Sequence, residues 1–280
     1  MNLKDKRESL RHIFRDLGRV VVAFSGGVDS TCLLKVAVDT LGADNVLACI
    51  SAGASEPSHQ LERAAALARD MGVELQTVET DELDDPQFAS NQADRCFHCK
   101  SHLCETLLEI ARQRGFAHVV FGTNHDDLDD FRPGNRAIAS FGIRSPLAEA
   151  GLTKEDIRQL SRQLGLPTAD IPSSPCLASR IPYGLEVTEK RLRQVDEAEA
   201  FLRELGFVEL RVRHHDTVAR IEVRPDDIAR ITAEPVRAQV IERLKSLGFK
   251  FVTVDLQGFR SGALNEPLSE QAKQAALERT

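Results

Sequence analysis

The 280-residue chain contains no tryptophan and only one tyrosine, Tyr183. Proteins that bind single-stranded nucleic acid stack bases on aromatic rings, so a surface of that kind is not expected here. The chain carries 36 Lys and Arg against 43 Asp and Glu, which gives a formal net charge of −7. This balance disfavours a general nucleic-acid coat, although it leaves room for a local basic groove.

Long apolar runs are also missing. No window approaches the ~20 apolar residues that cross a bilayer, so no membrane partner is expected. The N-terminal stretch MNLKDKRESLRHIF is charged and amphipathic, and it lacks the apolar core and small-residue cleavage site of a signal peptide. We therefore expect a cytoplasmic globular protein whose six cysteines stay reduced.

The first half of the chain alternates strand and helix patterns. The apolar run at residues 20–24 is typical of a strand buried on both faces, and a second apolar run lies at residues 46–50. Two further strands are predicted at residues 73–78 and 118–121. Helical spacing separates them at residues 33–38, 61–71 and 103–114. Because strands that alternate with helices pair in parallel, the pattern predicts an α/β fold with a doubly wound, Rossmann-like parallel sheet. A ligand is then expected beyond the carboxyl ends of the strands.

The second half is organised differently. Prolines interrupt residues 131–184 and leave one predicted helix at 154–164, which Thr153 caps together with Asp156. So irregular a stretch is usually functional or disordered, and its varied sequence favours function. The remaining pattern consists of helices at 189–205 and 235–247 and strands at 209–213, 218–223 and 249–254. We therefore predict an N-terminal domain at residues 1–185 and a smaller C-terminal α/β domain at 186–280.

The segment SGGVDS, residues 25–30, lies between the first strand and the first helix. Gly26 and Gly27 can adopt positive φ and present consecutive N–H groups, which form a polyphosphate site with the helix N-terminus and the hydroxyls of Ser25 and Ser30. Asp29 could orient this loop or share a magnesium ion with the phosphates. A glycine turn with a Ser or Asp cap is the alternative, but the position after an apolar strand favours nucleotide binding. No lysine follows the glycines, which excludes the GxxxxGK[ST] loop.

Two cysteines lie close together in the segment RCFHCK. The spacing of Cys96 and Cys99 lets one metal centre take both thiolates. The same pair could be a redox pair, half of a zinc site with His98 or His102, or an incidental pair at a helix start. The spacing alone leaves these alternatives open.

The third notable thiol is Cys176, which lies between prolines in PSSPCLASR. Ser179 and Arg180 follow it, and a thiol near arginine is expected to have a depressed pKa beside an anion site. Cys32 and Cys49 sit in apolar elements and are predicted to be core residues. No role is predicted for Cys104, which lies five residues beyond Cys99.

Polar residues also follow the fourth predicted strand. Gly122 and Thr123 are expected to contact a nucleotide, and the run from Asn124 through Asp127 to Asp130 offers carboxylates for magnesium. The alternative is a solvated acidic loop with a helix cap.

Arg211 and Arg213 share one face of a predicted strand, where two guanidiniums suit a phosphate or carboxylate, and Glu222 on the next strand could pair with them. Glu199 and Glu186 are weaker candidates for this site. A solvent-facing ladder of ion pairs is the alternative.

The loop SGGVDS resembles that of the ATP pyrophosphatase (PP-loop) families, which transfer AMP from ATP to an oxygen and release pyrophosphate. Along nearly its whole length the chain resembles the LarE family, the ATP-dependent sulfur transferases of nickel-pincer cofactor biosynthesis. The matching stretches are SGGVDS, DRCFHCK, GTNHDDLDDFRPG, RSPLAEAGLTK, SPCLASRIPYG, RVRHHDTVARIEV and DLQGFRSGALNE.

The resemblance implies that magnesium-ATP activates a carboxylate of pyridinium-3,5-biscarboxylic acid mononucleotide and that sulfur then replaces oxygen. Ser179, Arg180, Arg211 and Arg213 would hold the substrate phosphate. Some members sacrifice the sulfur of the cysteine that matches Cys176, whereas others bind a [4Fe-4S] cluster through three cysteines. Since Cys96 and Cys99 accompany Cys176, this chain resembles the cluster type. A homo-oligomer and a downstream nickel-inserting protein are the partners that the resemblance implies.

Other functions use the same loop. A tRNA thiolase needs a basic surface, which the net charge does not suggest, and a carboxylate amidase of the synthetase type has no use for Cys176. A nucleotide-binding regulator without catalysis is the non-enzymatic alternative.

Overall fold

A computed structural model describes residues 1–128, 131–172, 174–260 and 262–278. Their seven strands are β1 Val20–Ala23, β2 Val46–Ser51, β3 Glu74–Val78, β4 His118–Val120, β5 Leu210–His215, β6 Val218–Val223 and β7 Phe251–Val254. Their twelve α-helices are α1 Leu3–Leu17, α2 Val28–Leu41, α3 Ser58–Asp70, α4 Pro86–Ala89, α5 Arg95–Arg114, α6 Pro133–Ser140, α7 Pro146–Glu149, α8 Lys154–Gln163, α9 Glu189–Glu204, α10 Ile228–Thr232, α11 Val236–Ser246 and α12 Glu270–Glu278.

The chain divides into two compact units. Unit 1 comprises Met1–Glu82 and Cys96–Ser174, and unit 2 comprises Leu83–Arg95 and Pro175–Thr280. The units therefore separate after residue 174, and unit 2 also includes a segment from within the first half of the sequence. The predicted domain boundary at residue 185 stays a prediction.

The sheet of unit 1 has four parallel strands in the order β3-β2-β1-β4. Alternate residues of these strands belong to two separate apolar cores: Val20 and Val22 lie in one, whereas Val21 lies in the other. Helices α1, α2, α3 and α8 contribute to the first core, and α5 and α6 contribute to the second. Because both faces of the sheet are covered, its central strands β1 and β2 are apolar on both sides, and the predicted parallel α/β fold is confirmed.

Local signals set the ends of several helices. Thr153 and Asp156 form the predicted capping box at the start of α8, where the Thr153 Oγ1 accepts a hydrogen bond of 3.2 Å from the Asp156 N–H. Helix α5 begins at Arg95 instead of near Leu103, so that the CxxC pair lies in its first turns. The amphipathic N-terminal stretch forms α1, which buries Leu10, Phe14 and Leu17. Among the described residues, no helix has both the length and the apolar content needed to span a bilayer.

The sheet of unit 2 has three strands in the order β5-β6-β7. Strands β5 and β6 are antiparallel, whereas β6 and β7 are parallel. Leu210, Val212 and Ile221 pack with residues of α9 and α11 in a third apolar core. Arg211 and Arg213 alternate with Leu210 and Val212 along β5.

Candidate functional site

The SGGVDS loop turns sharply between β1 and α2. Gly26 has a φ of +67°, and a Cβ at this position would lie 3.2 Å from the Cβ of Ala64. The conformation and the close approach both require glycine. The Oγ atoms of Ser25 and Ser30 lie 3.1 Å apart, and the Gly27 N–H donates to the Ser25 Oγ over 3.4 Å. Hydroxyls and backbone N–H groups therefore gather at the N-terminus of α2, as a polyphosphate site requires.

A cavity of about 260 Å³ opens beside this loop. Ser25, Gly27, Asp29 and Ser30 form one wall, and Gly122 and Thr123, which follow β4, form another. A Cβ on Gly122 would lie 3.1 Å from the backbone N of Ser30, so glycine permits the close approach of the two walls. The cavity lies at the carboxyl ends of the strands, where the sequence predicts a ligand. Its other lining residues include Cys49, Ser51, Glu56, Lys100, Arg132 and Asn135.

Asp29 is held by two partners from distant parts of unit 1. The Lys154 Nζ donates to the Asp29 Oδ2, and the Asn124 Nδ2 donates to the Asp29 Oδ1 over 3.3 Å. The Lys154 backbone N–H in turn donates to Asp126 Oδ2 over 2.8 Å. Sequence reasoning missed Lys154, because a lysine just after a helix cap is an unremarkable signal and its partner lies 125 residues away.

Asp127 also lines the cavity. Its Oδ2 accepts from the Asn124 N–H over 3.2 Å, and its Oδ1 lies 2.9 Å from Arg132 Nη2. Burial raises the pKa of Asp127, and the negative charge of Asp29 raises it further. A cation near the two carboxylates would relieve this penalty, so Asp29 and Asp127 fit a magnesium site. Asp126 instead accepts from the Lys154 N–H at the start of α8, and the other members of the predicted acidic run, Asp129 and Asp130, lie outside the described residues.

The six cysteines fall into two groups by exposure. Cys32 and Cys49 are buried in the core as predicted, and burial raises the pKa of each thiol to about 12. Cys104 is also buried, which raises its pKa to about 11. These three thiols are therefore protonated at neutral pH and inert. The partly exposed thiols are Cys96, Cys99 and Cys176.

Cys96 and Cys99 lie three residues apart in α5, where residues at this spacing share one face. They belong to unit 1, whereas Cys176 belongs to unit 2. Within the described part of the chain, no three His, Cys, Asp or Glu side chains form a preassembled metal site. The metal-ligand set of Cys96, Cys99 and Cys176 stays a prediction.

The loop that carries Cys176 is organised by Arg180, whose side chain is fully buried. The Arg180 Nε and Nη2 donate to the two carboxylate oxygens of Glu199 over 2.8 and 2.9 Å. The Arg180 Nη1 donates to the carbonyls of Pro175 and Cys176 and to the Ser179 Oγ. Burial alone would lower the pKa of Arg180, but the Glu199 carboxylate raises it above its ordinary value. The guanidinium thus fixes the backbone on both sides of the thiol.

Glu199 is the shared acceptor of this part of unit 2. It is fully buried, and besides Arg180 it accepts from Arg203 Nη2 over 2.8 Å and from the Val212 N–H over 3.1 Å. Burial raises the pKa of a carboxyl, but the charge of Arg180 outweighs that effect and lowers the pKa of Glu199 to about 2. The sequence offered Glu199 only as a weaker candidate, because a glutamate on an amphipathic helix is usually solvated.

The two arginines of β5 are buried. Arg213 donates from Nε and Nη2 to Glu222 over 3.0 and 2.8 Å, and from Nη1 to the carbonyl of Ser179 over 2.9 Å. The predicted pairing with Glu222 is confirmed for Arg213. The guanidinium of Arg211 lies 5.0 Å from the centre of the Phe259 ring, and burial together with the positive charge of Arg180 lowers its pKa to about 9.

We refer to Arg180, Arg203, Arg211, Arg213, Glu199 and Glu222 as the arginine cluster. The cluster contains four guanidiniums and two carboxylates. Burial, and next the positive charge of Arg180, disfavour the charged form of Arg211 and lower its pKa. An anion beside Arg211 would offset these effects, which makes the cluster a candidate phosphate or carboxylate site. The roles of Ser179, Arg180, Arg211, Arg213 and Glu222 in substrate binding stay predictions.

Comparisons with known proteins identify the family. A family model described as NAD synthase matches residues 7–128. An uncharacterized protein of Synechocystis is 42% identical over 268 residues, which cover 96% of this chain and all of that protein. The pyridinium-3,5-bisthiocarboxylic acid mononucleotide synthase of Lactiplantibacillus plantarum is 39% identical over 96% of each chain. The NH(3)-dependent NAD(+) synthetase of Halobacterium salinarum is 29% identical over 62% of this chain and 68% of its own. With such identity along nearly its full length and a PP-loop at the ligand edge of its sheet, the chain belongs to the LarE family of ATP-dependent sulfur transferases.

Proposed function

We propose that the protein is an ATP-dependent sulfur transferase that converts a carboxylate of pyridinium-3,5-biscarboxylic acid mononucleotide into a thiocarboxylate. The observation that carries this proposal is the 39% identity, along 96% of the chain, to a synthase of the corresponding bisthiocarboxylic acid mononucleotide. The PP-loop beside a cavity and the three partly exposed thiols support the same activity.

The first step is adenylation. A carboxylate oxygen of the substrate attacks the α-phosphorus of ATP, the bond from that phosphorus to the pyrophosphate oxygen breaks, and an acyl-adenylate forms. Ser25, Gly26, Gly27 and Ser30 bind the phosphates through hydroxyls and N–H groups, as the loop geometry supports. Gly122 and Thr123 contact the nucleotide from the opposite wall of the cavity. Asn124 contacts it from the side of Asp29, to which its Nδ2 donates.

Asp29 and Asp127 would hold Mg²⁺, which supplies positive charge to the phosphates when it is bound. The Lys154 Nζ also donates to Asp29, so an ammonium helps to keep this carboxylate in place. We infer that Asp29 orients the loop as well as the metal.

The arginine cluster is the proposed site for the phosphate of the mononucleotide. Burial and the positive charge of Arg180 lower the pKa of Arg211, and Arg213 donates to the Ser179 carbonyl in the Cys176 loop. A phosphate bound at Arg211 and at the Ser179 hydroxyl would therefore lie in the same unit as the thiol. The bidentate bonds of Arg180 to Glu199 and of Arg213 to Glu222 keep both guanidiniums in fixed orientations.

Sulfur delivery is the second step. A sulfur nucleophile attacks the acyl carbon, the bond from that carbon to the AMP oxygen breaks, and AMP leaves. We propose that Cys96, Cys99 and Cys176 bind a [4Fe-4S] cluster, and the donor set fits because partly exposed cysteine thiolates are the ligands of such clusters. When bound through three thiolates, the cluster would supply sulfide at the remaining iron. The alternative is attack by the Cys176 sulfur itself, followed by cleavage of its Cβ–Sγ bond to leave dehydroalanine.

The experiment combines anaerobic purification, iron and sulfide analysis, and turnover with ATP, Mg²⁺ and the biscarboxylate mononucleotide. The wild-type protein is expected to release pyrophosphate and form thiocarboxylate over several turnovers without a change in its own mass. Cys176→Ala is expected to release pyrophosphate but form no thiocarboxylate, whereas the matched Cys104→Ala retains both reactions. An iron-free protein that loses the mass of H₂S at Cys176 would contradict the cluster proposal. ATP binding without pyrophosphate release would contradict the enzymatic proposal as a whole.

We further propose that the protein assembles as a homo-oligomer and that its product passes to a nickel-inserting protein. Both proposals rest on membership of the family. Light scattering of the purified protein tests the first of them. A single-chain mass at working concentration would contradict it.

A further inference from the structure

The segment Leu83–Arg95 belongs to unit 2, although the chain on either side of it belongs to unit 1. One of its residues, Asn91, is fully buried and has a φ of 57°. Among residues other than glycine, asparagine is one of those that adopt this left-handed conformation most readily, and buried contacts hold it here.

The Asn91 side chain supplies those contacts. Its Nδ2 is within hydrogen-bonding distance of three carbonyls, at 3.3 Å from Ile181, 2.8 Å from Pro182 and 2.7 Å from Leu185. The Asn91 carbonyl accepts from the Gly184 N–H over 3.0 Å. One asparagine therefore fixes the backbone of residues 181–185.

Arg95 extends the same network toward the thiol. Its side chain is 2% exposed, and its Nη1 donates to the Asn91 Oδ1 and, over 3.0 Å, to the carbonyl of Ala178. Its guanidinium also lies 5.7 Å from the centre of the Tyr183 ring. We call Asn91 and Arg95 the loop clamp, because together they bind the backbone from residue 178 to residue 185.

The loop clamp complements the contacts of the arginine cluster. Arg180 and Arg213 hold the carbonyls of Pro175, Cys176 and Ser179. The clamp holds the carbonyls of residues 178, 181, 182 and 185, so side chains bind the backbone at intervals from residue 175 to residue 185. Neither clamp residue lines the nucleotide cavity.

The clamp also precedes the CxxC pair directly, because Cys96 follows Arg95 in the chain. A single peptide bond joins the residue that binds the Cys176 loop to the first cysteine of that pair, and consecutive Cα atoms are about 3.8 Å apart. A shift of Arg95 would be transmitted to Cys96 through this bond.

We propose that Asn91 and Arg95 are positioning residues for sulfur transfer: they fix the Cys176 loop and the start of the CxxC segment and have no part in adenylation. The inference rests on the proposed function, since it assumes that these thiols deliver the sulfur. It adds two residues whose role is to hold the thiols in place.

The test uses Asn91→Gly, which keeps the left-handed backbone accessible and removes only the amide, and Arg95→Gln, which removes the guanidinium. Arg112→Gln is the matched control, because Arg112 lies on α5 with an exposed side chain and pairs with Glu109. Three quantities are measured for each full-length protein: pyrophosphate release with the biscarboxylate mononucleotide, thiocarboxylate formation, and the alkylation rate of Cys176 in metal-free protein by peptide mass spectrometry.

Both clamp variants are expected to release pyrophosphate within about twofold of wild type, to alkylate Cys176 about tenfold faster and to form thiocarboxylate about tenfold more slowly, as loss of a buried hydrogen bond implies. The bound iron per chain after reconstitution is expected to fall in parallel. Arg112→Gln is expected to match wild type in every measurement.

Unchanged Cys176 alkylation and thiocarboxylate formation in Asn91→Gly and Arg95→Gln would overturn the inference. A parallel loss of pyrophosphate release and thiocarboxylate would also overturn it, because the residues would then support the whole fold. Should Arg95→Gln fail to fold, Asn91→Gly decides alone. If wild-type protein releases no pyrophosphate, the proposed function fails, while alkylation still tests whether the clamp holds the loop.

Discussion

Removal of the Glu199 carboxylate tests how unit 2 is stabilised. Glu199→Gln keeps the shape of the side chain but leaves Arg180 and Arg203 without their negative partner in a site that excludes water. Breaking a buried pair from one side typically costs about 3–5 kcal/mol, because the remaining charge stays buried.

The lowered pKa of Glu199 gives a second estimate of how much its carboxylate stabilises the folded protein. A decrease from 4.5 to about 2 corresponds to about 3 kcal/mol of stability at neutral pH. Because the folded pKa lies below the unfolded one, this stability is fully present above pH 4.5 and is lost as the pH falls toward 2. Both arguments therefore predict that Glu199→Gln lowers the free energy of unfolding by about 3 kcal/mol at pH 7, and by less at pH 3.5.

Urea unfolding followed by circular dichroism at the two pH values provides the measurement. Glu197→Gln is the matched control, since Glu197 lies on the same helix, has a side chain 41% exposed and pairs with Arg243 over 3.1 Å. An exposed pair of this kind contributes about 1 kcal/mol or less. Equal losses for the two variants, or a Glu199→Gln loss that does not shrink at pH 3.5, would refute the argument that an ionised carboxylate organises the cluster.

Four further predictions concern other residues. Asp29→Asn is expected to slow pyrophosphate release by about 100-fold. Asp39→Asn is the control, because Asp39 lies on the same helix and pairs with Lys35, and it is expected to leave the rate unchanged. Gly122→Ala is expected to raise the KM for ATP about tenfold, because the new Cβ would press on the Ser30 backbone, and an unchanged KM would contradict the tight approach. Alkylation of native protein followed by peptide mapping should modify Cys96, Cys99 and Cys176 but leave Cys104 intact, since burial raises the pKa of Cys104 to about 11. Burial lowers the pKa of His214 to about 4, so the unfolded chain binds one more proton than the folded protein between pH 6.5 and 4. The urea midpoint of the wild-type protein should therefore fall toward that of His214→Gln as the pH falls from 7 to 5. Midpoints that change in parallel for the two proteins would contradict this prediction.

Local sequence signals predicted most of the elements that position the nucleotide loop. Strands such as β1 are continuous apolar runs, and helix α8 begins at a capping box, so that short-range chemistry identifies both. The start of α5 was missed because Cys96, His98 and Cys99 interrupt its apolar periodicity. Helix α12 was missed as well, since only Ala276 of its residues is buried.

Pairings between distant residues could not be predicted. Lys154 meets Asp29, and Asn91 meets the carbonyls of residues 181–185, only because the fold brings remote segments together. The alternative of a solvent-facing ladder for Arg211 and Arg213 also differs from the structure, in which both side chains are buried. A strand that alternates arginine with apolar residues has the same sequence pattern whether its polar face meets water or a second layer of protein.

The discontinuity of unit 2 has a consequence for the order in which the protein can fold. The chain emerges from the ribosome N-terminus first, so residues 83–95 are synthesised long before their partners at 178–185 exist. Unit 1 can complete its parallel sheet once β4 has been made. The side-chain donors of Asn91 and Arg95, in contrast, must remain hydrated until residues 178–185 have been synthesised. A fragment that begins at residue 175 would lack those donors altogether. Unit 2 is therefore not separable by one cut, and its folding in isolation requires residues 83–95 to be supplied as a second polypeptide or through a new linker.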